Sequence, residues 1–164
     1  LSEAQKHEGG SIKHDLSVPL AAIPEFIRVA GMAVTGVCPG VRIFAFGHIG
    51  DGNIHFNLSQ PVGGADRDIN GRSTPVGGAD RDIDGRSAPA GADTGAFLAR
   101  WEELSRIVHD IVHKLGGSIS AEHGIGQMKR DDLAKYKSPE DLSLMRALKA
   151  ALDPAGLMNP GKLL

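Results

Sequence analysis

Residues 41–59 alternate between apolar and polar positions with a period of two, the pattern of a β-hairpin with one buried face. The apolar positions of its second half are Ile54, Phe56 and Leu58, and the polar positions are Asn53, His55 and Asn57. Asp51-Gly52 lies between the halves and favours a two-residue turn, because both turn positions require positive φ. With the turn centred there, His48 pairs directly with His55, and their Cβ atoms lie about 5 Å apart. We therefore predict strands at about 41–47 and 53–59 that bring two imidazoles close enough to share one metal ion.

The rest of the chain supplies the other elements of a mixed fold. Helical spacing of apolar residues predicts helices at about 19–35, 94–115, 126–136 and 138–152. Short alternating segments predict two more strands, at 11–18 and 118–121. The resulting order is the β-α-β-β-α-β unit of ferredoxin-like folds. We therefore predict an α+β fold with a ferredoxin-like antiparallel sheet, helices on one face, a free histidine face and extra C-terminal helices.

Two helices carry patterns whose burial can be predicted. His109 and His113 stand four residues apart, away from the apolar stripe of the helix at 94–115. Such a pair can bind a metal, but no acidic motif accompanies it, so we predict a solvated face. The last helix carries an apolar stripe that we predict to be buried, formed by Leu142, Met145, Leu148 and Leu152.

Composition excludes several classes of function. The chain has 164 residues, enough for one domain with a core, and a net charge of −2 without a basic stripe, so we expect no nucleic-acid partner. Its one cysteine, Cys38, excludes an intramolecular disulfide and fits a reducing compartment, so we expect the cytoplasm or the mitochondrial matrix. No apolar run approaches the roughly 20 residues of a transmembrane helix. The chain begins at Leu1, and we interpret it as a piece of a longer protein.

A tandem repeat separates the hairpin from the long helix. Residues 61–74 and 75–88 are two copies of one 14-residue segment rich in Gly, Pro, Asp and Arg, which predicts a flexible insertion at about 61–93. An alternative is calcium binding, since Asp66-x-Asp68-x-Asn70-Gly71 and the same part of the second copy match the first half of a calcium loop. The bidentate Glu of such loops is missing in both copies.

The candidate chemistry lies on the polar side of the sheet. His48, His55 and Glu122 form a plausible ligand set for Zn²⁺ or another divalent transition metal, with a position left for substrate. His123, next to Glu122, is better placed to carry a proton. The alternative interpretation is a pair of hydrogen-bonded histidines with a Glu that caps a turn. Lys13 has an equally plain alternative role, as a charge that keeps an edge strand soluble.

Four segments resemble motifs of one family. They are Lys-His-Asp-Leu-Ser-Val-Pro at 13–19, Gly-His-Ile-Gly-Asp-Gly-Asn-Ile-His at 47–55, Ser-Ala-Glu-His-Gly-Ile-Gly at 120–126, and Leu-Asp-Pro through Met-Asn-Pro-Gly-Lys at 152–162. The second resembles the G-H-x-G-D-G-N-x-H signature of FAD-linked 2-hydroxy-acid dehydrogenases of the vanillyl-alcohol-oxidase superfamily, which includes enzymes that oxidise D-2-hydroxyglutarate, D-lactate and glycolate. The motifs are collinear and span nearly the whole chain. Residues 1–164 are thus similar to part of the C-terminal, substrate-binding domain of that family, whose FAD domain precedes it.

The resemblance implies a role for each matching residue. His48, His55 and Glu122 would ligate a divalent metal, Zn by expectation; Asn53 and His123 would face the substrate; Lys13 would bind a carboxylate; and Asn159 would approach the flavin. His123 would take the hydroxyl proton while a hydride leaves the substrate for FAD. We therefore expect a small 2-hydroxy acid as substrate, an electron acceptor for the reduced flavin, and a homodimer as one arrangement of the protein. The rival interpretations are a non-catalytic Zn or Ca module and an inactive truncated fragment.

Overall fold

The computed structural model describes residues 9–61 and 94–164, which build a small antiparallel sheet packed against helices. The strands are β1 (Ser11–Ile12), β2 (Asp15–Ser17), β3 (Arg42–Phe46) and β4 (Asn53–Ser59). The helices are α1 (Ile23–Val37), α2 (Thr94–Ala99), α3 (Trp101–Lys114), α4 (Arg130–Tyr136) and α5 (Pro139–Leu152). This combination confirms the predicted α+β class. The repeats and the calcium-loop alternative lie outside the described residues, apart from Pro61.

β4 is the central strand of the sheet. It pairs with β3 on one side and with both β1 and β2 on the other, in each case antiparallel. Ser11 lies opposite Ser59 and Asp15 lies opposite His55, so β1 and β2 keep one register along β4. They are therefore the single strand predicted at 11–18, with a short interruption.

The strand predicted at 118–121 is reduced to one bridge. Ser118 and Ser17 exchange two backbone hydrogen bonds of 2.8 and 3.0 Å. Beyond the bridge the chain leaves the sheet, because the N–H groups of residues 121–123 donate to the carboxylate of Asp15 and not to a neighbouring strand. The β-α-β-β-α-β order is thus retained, and its last strand is shortened to a single pairing.

The core lies between the sheet and two helices. α1 contributes Phe26, Ala30 and Val34, α3 contributes Leu104, Val108 and Val112, and the sheet contributes Leu16, Ile54, Phe56 and Leu58. The rings of Phe26 and Phe56 meet at a centroid distance of 5.2 Å with a tilted, edge-type geometry. The apolar face predicted for β4 is therefore the face that packs on the helices.

One segment among the described residues, Leu20–Val37, is long and apolar enough to cross a membrane, with 18 residues and a hydropathy of 1.5. The core helix of a soluble protein passes the same test of length and composition. Here Phe26, Ala30 and Val34 are fully buried in the core of the domain. Only 22% of the segment is buried, and Leu20 and Met32 are exposed, so packing in the core accounts for part of its apolar character.

The hairpin turn differs from the predicted one. β3 ends at Phe46, which lies opposite His55, so the residue paired with His55 is Phe46 and not His48. Residues 47–52 form a longer loop around one turn of 3₁₀ helix, Ile49–Asp51, in which the N–H groups of Asp51 and Asn53 both donate to the carbonyl of His48. Of the two predicted turn residues, only Gly52 has a positive φ, at 80°, whereas a two-residue turn needs positive φ at both positions.

The helical half of the fold corrects three further predictions. The helix predicted at 94–115 is divided into α2 and α3 at Arg100. His109 is buried, not solvated, and its ring meets that of His14 edge-on at 5.7 Å. Of the stripe predicted to be buried on the last helix, Leu142 is buried, while Leu148 and Leu152 are exposed.

Candidate metal and substrate-binding site

The three predicted metal ligands meet at the carboxylate of Glu122. His48 Nδ1 lies 2.8 Å from Glu122 Oε1, and His55 Nε2 lies 3.8 Å from Glu122 Oε2. Asn53 also donates from its side-chain amide to Glu122 Oε1. The structure therefore brings the two histidines to one carboxylate, although His48 arrives from the loop after β3 and not from a strand position opposite His55.

Two glycines allow the loop to make this approach. Gly47 and Gly52 both adopt positive φ, and a Cβ on either would collide with a backbone carbonyl, that of Asn53 or of Val18 respectively. Close packing of the loop against β4 and the end of β2 therefore requires glycine at both positions. This packing holds His48 over Glu122.

The site includes a buried carboxylate that the sequence analysis did not single out. Asp15 Oδ2 accepts three backbone N–H bonds, from Ala121 at 3.3 Å and from Glu122 and His123 at 2.8 Å each. Burial by itself raises the pKa of Asp15, but the N–H donors of His123 and Glu122 outweigh it and leave the pKa below its ordinary value. Alternation along 11–18 could have found Asp15, since Lys13 and Asp15 share one face of that strand.

Asp15 also belongs to a second group of metal-ligand types. Ligand atoms of Asp15, His55 and His123 all lie within 4.8 Å of one another. His55 is thus shared between two clusters, and its two ring nitrogens face different ones: Nδ1 lies 3.9 Å from Asp15 Oδ1, and Nε2 lies toward Glu122.

A pocket of about 680 Å³ opens beside these clusters. Its polar and charged lining includes Lys13, Asp15, His55, Asn57, His123, Lys129 and Lys162. Lys13 and His123, for which the resemblance implies contact with the substrate, both line this pocket. Asn53 instead donates to Glu122, and the amide that borders the pocket is Asn57, on the same face of β4.

Three nitrogen-bearing side chains lie in or behind the wall of the pocket: Lys129 and His14 line it, and His109 contacts His14. Lys129 donates to the carbonyl of Ile119 at 2.8 Å, and burial lowers its pKa below the ordinary value. Burial also lowers the pKa of His14 and of His109 to about 4 each. His14 bonds the carbonyl of Phe56 at 2.7 Å through Nδ1, so it acts there as a donor. Both histidines are therefore neutral at pH 7 and add no charge to the pocket.

The C-terminal tail adjoins the same pocket. Lys162 and the loop 124–126 border both the pocket above and a second one of about 640 Å³ that also contacts Asn159. Asn159 has a left-handed backbone at φ 47°, uncommon for a residue other than glycine. The tail is tied to the end of α5 by Asp153, which accepts the N–H groups of Leu157 and Met158 at 2.9 and 2.8 Å.

Comparisons with known proteins identify a family and several named relatives. A protein-family profile described as "FAD linked oxidases, C-terminal domain" matches residues 1–73 and 88–163, and the gap in the match largely coincides with the second copy of the repeat. The chain is 35% identical to a D-2-hydroxyglutarate dehydrogenase of Stutzerimonas stutzeri over 151 residues, which is 92% of this chain and 26% of that protein. It is 32% identical to the mitochondrial D-2-hydroxyglutarate dehydrogenase of Danio rerio over 164 residues, which is all of this chain and 24% of that protein.

A further relative has a different name. A D-2-hydroxyglutarate–pyruvate transhydrogenase of Saccharomyces cerevisiae is 29% identical over 162 residues, 94% of this chain and 26% of that protein. The chain thus spans about a quarter of the length of the curated relatives that it matches. From the family profile and these relatives, the chain belongs to the family of FAD-linked oxidase C-terminal domains.

Proposed function

We propose that this chain is the substrate- and metal-binding part of an FAD-dependent dehydrogenase that oxidises a D-2-hydroxy acid, of the 2-hydroxyglutarate or lactate type, to the 2-oxo acid. The observation that carries the proposal is the meeting of His48 and His55 at Glu122, beside a pocket that contains lysines and His123. Family membership and the names of the relatives support the class of reaction.

The donor set fits a divalent transition metal. Two imidazoles and one carboxylate are ligands that Zn²⁺ accepts in catalytic sites, where a further position stays open. His48, His55 and Glu122 are the residues that would hold the ion. When bound, the cation supplies a Lewis acid that lowers the pKa of the substrate hydroxyl, and FAD supplies the hydride acceptor.

The cationic lining of the pocket suits an acidic substrate. Lys13, Lys129 and Lys162 border the pocket, while Asp15 is the carboxylate among its lining residues, and one of its two oxygens accepts backbone N–H groups. Lys13 is the lysine that we propose to bind a substrate carboxylate. The presence of further lysines favours a substrate with a second carboxylate, as in 2-hydroxyglutarate, over one with a methyl group at that end, as in lactate.

His123 is the proposed base. Its side chain is 68% exposed, and its Nδ1 lies 3.8 Å from Asp15 Oδ2. Nε2 is therefore left to face the substrate and to accept the proton of the C2 hydroxyl. In this orientation the imidazolium formed would lie beside a negative carboxylate, which stabilises it. Asn159, on the tail next to the pocket, is the residue of this chain that we propose to approach the flavin.

The test uses the whole protein that contains this chain. We expect His48→Ala and His55→Ala each to lose the metal and most turnover of D-2-hydroxyglutarate while FAD stays bound. His113→Ala is the matched control, because this exposed histidine lies on α3 outside the candidate site. Full activity in a metal-free His55→Ala protein would contradict the proposal, and comparison of D-2-hydroxyglutarate with D-lactate would rank the two substrate types.

The alternative of a metal-binding module without redox chemistry uses the same donors. Calorimetry with Zn²⁺ and Ca²⁺, run beside a dye-reduction assay with 2-hydroxy acids, separates the two. Metal binding in a protein that contains FAD yet reduces no dye with any 2-hydroxy acid would favour the module. The compartment and the homodimer stay predictions.

A further inference from the structure

Asp15 connects the two parts of the chain that carry the proposed chemistry. It lies on β2 directly opposite His55, so both side chains emerge on the same face of the sheet. More than a hundred residues later in the sequence, the segment that carries Glu122 and His123 crosses this face and is bonded to the same carboxylate. A side chain with contacts to both parts can set their relative position.

One oxygen of Asp15 is fully used by the segment 121–123. Oδ2 accepts N–H bonds from three consecutive residues, and the side chain is 3% exposed. Bonds from backbone donors to a buried carboxylate are charge-assisted and stronger than neutral ones. These bonds fix the backbone at Glu122 and His123, and they therefore fix the positions from which both side chains extend.

The other oxygen is turned toward His55. Asp15 Oδ1 is buried without a hydrogen-bond partner among the described residues, which is costly for a carboxylate oxygen. His55 Nδ1 faces this oxygen at 3.9 Å, about 1 Å beyond hydrogen-bond distance. A rotation of the His55 side chain, which is 20% exposed, toward Oδ1 would bring Nδ1 within that distance.

We propose that Asp15 is a positioning residue that holds His55 in the Nδ1–H tautomer, with its Nε2 lone pair directed at the metal position beside Glu122. A carboxylate without a proton can only accept a bond, so the nitrogen facing it carries the hydrogen and the opposite nitrogen is left free to ligate. The inference rests on the proposed function, because it assigns the metal to the Nε2 side of His55.

The same geometry argues against Asp15 as a ligand. Its Oδ2 already accepts three N–H bonds, and its Oδ1 faces Nδ1 of His55, the ring nitrogen opposite the one that lies toward Glu122. Outer carboxylates that orient a ligating histidine are common around metal sites, and their removal lowers metal affinity by about 10- to 100-fold. That is the size of effect expected here.

The decisive variant is Asp15→Asn in the whole protein. Its amide oxygen can keep the three backbone N–H bonds, which places the NH₂ group toward His55 and makes Nδ1 an acceptor. His55 then carries its hydrogen on Nε2, the nitrogen that should bind the metal. We expect Zn²⁺ affinity, measured by competition with a chromophoric chelator, to fall about 10- to 100-fold while FAD content is unchanged.

Asp153→Asn is the matched control. Asp153 is also buried and also accepts consecutive backbone N–H groups, but it does so at the C-terminal end of α5. We expect its Zn²⁺ affinity to equal that of the unmodified protein. Equal Zn²⁺ affinity in Asp15→Asn and Asp153→Asn would overturn the proposal.

A second measurement determines the tautomer of His55 in the unmodified protein and uses a variant only to assign its signal. In the metal-free, ¹⁵N-histidine-labelled protein at about pH 8, long-range ¹H–¹⁵N spectra report the tautomer of each neutral imidazole. His55, assigned by its loss in His55→Gln, should be Nδ1–H, and an Nε2–H form would overturn the inference. A protein that shows the Nδ1–H form but binds no divalent metal would refute the proposed metal site and leave the role of Asp15 standing.

The cobalt-substituted protein separates an orienting carboxylate from a ligand. If Asp15 acts through His55, Asp15→Asn weakens Co²⁺ binding, but the visible spectrum at saturation keeps its shape and intensity. A spectrum at saturation that shows a changed coordination number of Co²⁺ would identify Asp15 as a ligand and would overturn the positioning role.

Discussion

Two aspartates in this chain hold a loop in the same way but serve different ends. Asp15 is 3% exposed and accepts the N–H groups of residues 121–123; Asp153 is 8% exposed and accepts those of residues 157 and 158. Both have a pKa below the ordinary value. In each case a short side chain substitutes for the regular backbone pairing that an irregular segment lacks.

The difference lies in what each carboxylate meets besides the backbone. Lys149, one turn earlier on α5, donates to Asp153 and also to the carbonyl of Met158, and with the Met158 N–H it holds the pKa of Asp153 at about 2. Asp15 has no lysine or arginine bonded to it among the described residues, and its second oxygen faces His55 instead. Asp153, whose carboxylate is paired with a lysine, fixes the position of the C-terminal tail. Asp15, which has an oxygen without a hydrogen-bond partner among the described residues, can orient a functional group.

The largest expected effect comes from removing each carboxylate in turn. Asp15→Ala leaves three backbone donors without their acceptor and His55 without its orienting group, so we expect turnover to fall about 100-fold or more. Amide exchange at residues 121–123 should accelerate strongly. Asp153→Ala should instead accelerate exchange at residues 157 and 158 and leave Zn²⁺ binding intact. Loss of Zn²⁺ in both variants would show that the two aspartates do not differ as argued.

A smaller effect concerns the buried histidines. They lower the stability of the fold at pH values above those at which either aspartate becomes protonated. His109 has a pKa of about 4 in the folded chain against an ordinary value of 6.5, and both its ring nitrogens are buried without a hydrogen-bond partner in the described structure. A lowered histidine pKa means that its contribution to stability is complete above about pH 6.5 and is lost as the pH falls toward 4. At pH 5 the loss is about 2 kcal/mol for each such histidine.

His109→Leu should therefore reduce the loss of stability between pH 7 and pH 5 by about half, since His14 contributes the rest. The measurement is the urea midpoint at each pH. His113→Gln, an exposed histidine on the same helix, is the control and should follow the unmodified protein. If His109→Leu loses as much stability between pH 7 and pH 5 as the unmodified protein, the loss comes from carboxylates and not from this histidine. Asp15 and Asp153 would then have to be compared for their share of that loss.

Sequence patterns were sufficient where the interaction is local. Alternation along β4 correctly assigned Ile54, Phe56 and Leu58 to the core. The ligand set of His48, His55 and Glu122 joins distant segments and stays a prediction, although the three side chains lie together. The predicted route of His48 to the site was wrong, because the Asp51-Gly52 pair by itself cannot reveal that the backbone at Gly52 packs closely against the carbonyl of Val18.

Interactions between distant segments could not be predicted from local sequence patterns. His109 is buried against residues far away in the sequence, His14 and Tyr136, whereas periodicity on α3 alone placed it on the solvated side. The role of Asp15 depends on donors in residues 121–123, where the backbone leaves the sheet. A carboxylate that caps a remote backbone has no signature in its own neighbourhood, so the sequence could place Asp15 on a face but could not assign it a partner.

The smallest expected effect tests whether Lys149 is what makes Asp153 purely structural. Lys149 is the largest cause of the low pKa of Asp153, so Lys149→Met should raise that pKa toward its ordinary value of 3.8. A lowered carboxyl pKa stabilises above about pH 3.8 and loses that contribution as the pH falls toward 2, so the variant should release the tail at a higher pH. At neutral pH the carboxylate keeps its backbone bonds, and we expect only a several-fold faster exchange of the amides of residues 157 and 158. Lys137→Met, an exposed lysine between α4 and α5, should leave that exchange unchanged. If Lys149→Met instead lowered Zn²⁺ affinity, the tail and the metal position would be coupled. Asp153 would then not be purely structural, and the argued difference between the two aspartates would be wrong.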